Sequence, residues 1–133
     1  MESPDIGRYA WRPLAASLQA RDYPIDPLIL PLVIALRKAK IETIGSCEGH
    51  ERDGVHSFPW VSIVGRDIKR ALRFMAEFNQ FLLRKRDRER TWAIEPLFSA
   101  HVGWSGVAGF LQPADKTRSL ASMQEDITIG LAR

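Results

Sequence analysis

Residues 59–83 read PWVSIVGRDIKRALRFMAEFNQFLL, and this stretch contains a strand followed by a helix. Pro59 opens a strand at the position where a missing N–H donor does least harm. Trp60–Val64 is the strand itself, rich in aromatic and β-branched residues. Asp67 then offers an N-cap for the most regular helix in the chain. Ile68, Ala71, Leu72, Met75, Phe78 and Leu82 form its inward stripe, thickened by Phe74 and Phe81. Lys69, Arg70, Arg73, Glu77, Gln80 and Arg84 fall on the opposite side, as a one-sided surface helix requires.

Working outward, Asp26-Pro27 signals another helix start, with Asp26 as N-cap and Pro27 at a position that needs no donor. Leu28, Leu32, Ala35, Leu36 and Ala39 would line its buried stripe. Pro31 sits awkwardly inside that helix, so a start at Pro31 is the alternative. Arg37, Lys38 and Lys40 suit its C-terminal end. Ile41–Ser46 reads as a short strand, and residues 47–58 as a long polar loop.

Downstream, Thr91–Ser99 is expected to be a strand with Trp92, Ile94 and Phe98 on one side. Pro96 makes it an edge strand or bends it. Ser105–Gln112 is a further strand, with Gly103, Gly106 and Gly109 punctuating the region. Ser119 caps a last helix with Leu120, Met123, Ile127 and Leu131 inward, its final turn weakened by Gly130. Residues 1–24 carry Pro4, Pro13 and Pro24 and read as an irregular segment with a short helix over Pro13–Ala20, Leu14 and Leu18 inward.

Strands in neighbouring pairs, joined by loops too short for crossovers, predict an α+β fold. The expected sheet is antiparallel or mixed, of about four strands, with helices mainly on one face. The 133 residues are enough for one domain with one core. At 45% hydrophobic and 26% charged, the composition is globular. The single cysteine excludes an internal disulfide and suits a reducing compartment. No apolar run is long enough to span a bilayer, and the N-terminus lacks a signal-peptide core. The expectation is a cytoplasmic protein with no membrane partner.

Chemistry concentrates in Thr43-Ile44-Gly45-Ser46-Cys47-Glu48-Gly49-His50, where the only cysteine stands three residues before one of three histidines. A turn at Gly49 lets the Cys47 thiolate and the His50 imidazole converge on a metal such as zinc, or on a small polar ligand. His56 and His101 are candidate completing ligands, with Glu48, Glu51 and Asp53 as carboxylates within reach along the chain. A second reading makes Cys47 a nucleophile, with His50 or His101 as base and Glu48 in the catalytic group. The plainest reading has Cys47 as a small buried hydrophobe and His50 tying down the loop. Trp60 and Trp104 read as core or rim aromatics.

The run from Leu36 to His50 resembles a family of small bacterial and phage proteins marked by a helix and a T-x-x-S-C-x-G-H element, with which no reaction is associated. Ser46-Cys47-Glu48-Gly49 also resembles the S-C-S-G-R element of the tRNA wybutosine-synthesising methyltransferases. That resemblance implies S-adenosylmethionine and a tRNA guanosine derivative. Here Glu48 replaces the second serine and His50 the arginine.

The net charge is +3, yet residues 66–90 contain nine basic residues against four acidic ones, a local excess of +5. Arg84, Lys85, Arg86, Arg88 and Arg90 are where a nucleic-acid partner would find phosphate contacts. Asp87 and Glu89 interrupt the cluster, as they would in a solvated helix end.

Overall fold

The computed structural model describes residues 25–84, 90–97 and 106–132. The Pro13–Ala20 helix, His101, Trp104, the outer ends of the strands expected around residues 98–105 and the basic residues Lys85, Arg86 and Arg88 lie outside the described residues.

The chain order is α1 (Leu30–Lys38), β1 (Ser46–Cys47), β2 (Glu51–Arg52), β3 (Val55–His56), β4 (Trp60–Val64), a 3-10 turn (Gly65–Asp67), α2 (Ile68–Leu83), β5 (Trp92–Pro96), β6 (Val107–Pro113) and α3 (Leu120–Gly130). Four strands form one antiparallel sheet in the order β1-β4-β6-β5, and β2 pairs with β3 in a separate hairpin. The fold is α+β. Pro96 lies on an edge strand, where a missing donor is tolerated.

Side chains alternate across the sheet, so Val61 and Ile63 share a face with Leu111, which pairs with both Val61 and Ile94. All three helices pack on that face. Ile29, Leu32, Val33 and Leu36 come from α1 and the turn before it, Phe74, Phe78 and Leu82 from α2, and Ile127 from α3. Full burial of each large apolar side chain contributes about 1.5–3 kcal/mol. Phe78 stands edge-on to Trp92 at 5.4 Å between centroids, joining α2 to β5.

Several local expectations change. Residues 27–29 form a turn whose Ile29 and Leu30 N–H groups donate to the Asp26 carbonyl, so α1 starts at Leu30 and Pro31 falls in its first turn. Leu28 therefore lies off the helix and is half exposed, while Ile29 and Val33 are buried. At the other end, Ile41 N–H donates to Leu36 C=O and Lys40 N–H to Arg37 C=O, with Lys40 at φ 62°. This is a Schellman closure with lysine in the position that glycine usually takes.

The strand expected over Ile41–Ser46 shrinks to Ser46–Cys47. Its backbone donors go to side chains instead: Glu42 N–H to Asp67 Oδ2, and Ile44 and Gly45 N–H to Ser62 Oγ. Asp67 consequently does not cap α2. Its buried carboxylate receives Glu42 and pairs with Arg70. Leu72 is exposed, against expectation, while Ala71, Phe74, Phe78 and Leu82 are buried as expected. The polar loop after Cys47 contains the β2–β3 hairpin, whose Asp53-Gly54 turn has positive φ at both residues. Ser119 does cap α3, accepting from Ser122 N–H at 3.2 Å.

Candidate metal centre

Cys47 ends β1, opposite Trp60 of β4, so its backbone belongs to the sheet. The chain then turns through Glu48 and Gly49. Gly49 takes φ 86°, and a Cβ there would lie 2.5 Å from Leu120 Cδ1 and 3.2 Å from the Phe58 carbonyl carbon. Only glycine lets the turn settle this closely on the start of α3. Gln124 of α3 supports it from the same side, donating to Glu48 C=O at 2.9 Å. His50 N–H donates to Ser57 Oγ at 2.9 Å, and Ser57 N–H to His50 C=O at 2.9 Å, which fixes His50 at the base of the hairpin.

The third member of the group is Asp26. Its Oδ2 accepts from Glu48 N–H at 3.1 Å and stands 3.6 Å from His50 Nε2. Glu48 reciprocates with its side chain, accepting from Leu28 N–H at 3.0 Å. The two segments are thus strapped together across 22 residues. One oxygen of Asp26, the Cys47 sulfur and one nitrogen of His50 all lie within 4.8 Å of one another. Gly49 N–H donates to Cys47 Sγ at 3.3 Å and orients the sulfur. His50 is largely exposed and Asp26 and Cys47 partly so, which puts the group at the surface.

Of the residues expected at the site, Cys47 and His50 come together and Glu48 adjoins them as a strap. His56 does not join the group: its Nε2 bonds the Arg118 carbonyl at 2.9 Å, which requires the proton on that nitrogen. His101 lies outside the described residues. Glu51 and Asp53 belong to the hairpin and are not in the group. Asp26 was not legible as a ligand because it presents itself locally as a helix cap. Its carboxylate instead meets a turn more than 20 residues later.

The donor set suits zinc. Bond lengths of about 2.0–2.3 Å place tetrahedral ligand atoms roughly 3.3–3.7 Å apart, and the Asp26–His50 separation of 3.6 Å already falls there. A thiolate, a carboxylate and a neutral imidazole together balance a divalent cation.

Two members of the basic cluster are already engaged within the fold. Arg84 stacks over Phe81 at 4.6 Å. Arg90 donates to Asp126 Oδ1 at 3.0 Å. Asp126 is fully buried in α3 and also accepts from Trp92 Nε1 at 3.0 Å and from Arg118 at 2.6 and 2.9 Å. This network ties β5, the segment before α3 and α3 together. No helix among the described residues is long and apolar enough to cross a membrane. A scan against protein-family models and searches of curated proteins and of solved structures return no match for this chain.

Proposed function

We propose that this chain is a zinc-type metal-binding protein whose site is built by Asp26, Cys47 and His50. The observation that carries the proposal is the convergence of one oxygen, one sulfur and one nitrogen within 4.8 Å of one another. A cysteine–histidine–aspartate relay instead works through both imidazole nitrogens, one toward the sulfur and the other toward the carboxylate. Here one nitrogen of His50 lies within 4.8 Å of both an Asp26 oxygen and the Cys47 sulfur, an arrangement in which all three donors can share one cation. Backbone N–H groups of Glu48 and Gly49 hold the two anionic donors in place, the supporting role that surrounds protein metal sites.

Three protein donors leave a tetrahedral ion one further position. It would be filled by solvent or a small polar ligand from the exposed His50 side, or by His101. With solvent there, the metal would act as a Lewis acid toward a bound oxygen.

Cobalt substitution tests the reading. One equivalent of Co²⁺ should give thiolate-to-metal charge-transfer absorption that disappears in Cys47→Ser. Absence of that band from the wild-type protein refutes thiolate ligation. An unchanged cobalt d–d spectrum in His101→Ala would leave the fourth position to an exogenous ligand.

A further inference from the structure

Away from the metal centre, α1 and α2 enclose a groove of about 930 Å³, within the size range of small-molecule sites. Leu30, Ile34, Phe74 and Leu131 give it an apolar body, and Lys38, Arg70 and Arg73 supply cations.

These groups are sorted along its length. The Glu42 N–H bond to Asp67 Oδ2, at 2.9 Å, ties the chain just past α1 to the residue just before α2. Lys38 therefore shares one end of the groove with Arg70 and Arg73. Pro27 precedes α1 and so lies toward the other end, and Leu131, just past α3, completes the apolar lining. From Arg70 to Glu77 the α2 axis rises about 10 Å, enough for a single acyl chain of moderate length.

Arg70 is paired with Asp67, but Lys38 and Arg73 are exposed and have no ion-pair partner among the described residues. Glu77 adds one carboxylate to the lining further along α2, so Lys38 and Arg73 leave the groove a net cationic excess beside the Arg70–Asp67 pair, complementary to an anionic head on an apolar tail.

We propose that the α1–α2 groove binds a medium-chain carboxylate, its head at Lys38 and Arg73 and its tail along Leu30, Ile34, Phe74 and Leu131. Calorimetric titration of the full 133-residue chain with decanoate tests this, with decyltrimethylammonium as the probe of opposite charge. Saturable one-to-one binding of decanoate alone is expected. The double variant Lys38→Glu/Arg73→Glu should weaken it at least tenfold without moving the melting temperature by more than a few degrees. Ala35→Trp, which fills the trough, should abolish it. Equal binding of the cationic probe, or an unchanged affinity in the charge-reversed variant, would overturn the proposal. A groove filled instead by residues 1–24 or by a second copy would give no saturable decanoate binding, and that result overturns it too.

Discussion

Asp26 Oδ2 stands 3.6 Å from His50 Nε2 and accepts a hydrogen bond from the Glu48 backbone N–H. A carboxylate that the local sequence presents as a helix cap is thus drawn into a turn on another part of the chain. Two hydrogen bonds, Glu48 N–H to Asp26 and Leu28 N–H to the Glu48 carboxylate, hold the two segments together.

Glu48 supports the site from outside the donor group, and its substitutions should show it. Glu48→Ala removes the acceptor for Leu28 N–H and should weaken zinc binding about 10-fold, the scale for an outer supporting residue. Glu48→Gln keeps an acceptor oxygen and should retain most of the affinity. Competition with a chromophoric chelator measures both. A Glu48→Gln protein that loses zinc as completely as Cys47→Ser would make Glu48 a ligand instead.

Gly49→Ala should destabilise the protein by about 1–3 kcal/mol through forced positive φ and crowding. Leu120 Cδ1 is the nearest obstruction. Leu120→Ala in the same molecule should therefore relieve part of the cost, and a double-mutant cycle in urea would read a coupling between the two sites. Strictly additive effects would mean that the turn does not rest on α3 in solution.

Asp126 anchors a buried network, with two arginines and the Trp92 indole donating to one carboxylate. Removing the carboxylate takes from both arginines and from the Trp92 indole the buried acceptor they share. Asp126→Ala should cost about 3–5 kcal/mol and shift the Trp92 fluorescence. A loss under 1 kcal/mol by denaturant unfolding would contradict the network.

Gly130 has a packing role that its helix propensity conceals. A Cβ there would fall 2.2–2.6 Å from three ring atoms of Phe78. Gly130→Ala should destabilise by about 1–3 kcal/mol through overpacking, although alanine is the better helix former. Thermal melting would decide the sign, and a more stable variant would refute the contact.

These cases mark where the sequence could and could not be read. Trp60–Val64 follows from its aromatic and β-branched content, and most of the helix after Asp67 from the period that burial on one face imposes. Residues 41–45 look like a strand, yet the N–H groups of Glu42, Ile44 and Gly45 are met by Asp67 and Ser62, side chains whose arrival no local pattern announces. Cys47 and His50 were legible because only two residues, Glu48 and the turn-forming Gly49, separate them. Asp26 was hidden by its own local logic. Asp126 was hidden in the same way, as a carboxylate among the inward residues of α3, where only its distant arginines and Trp92 explain its burial.

The most direct test of the metal centre is zinc stoichiometry by elemental analysis of tag-free wild-type protein and Asp26→Asn prepared in parallel. The proposed site predicts one equivalent of zinc in the wild type and a marked loss in Asp26→Asn, with the melting temperature of the wild type falling on chelation because bound metal stabilises the folded state. Wild-type protein without stoichiometric metal and with melting indifferent to chelator, or an Asp26→Asn protein that holds zinc as tightly as the wild type, would contradict it.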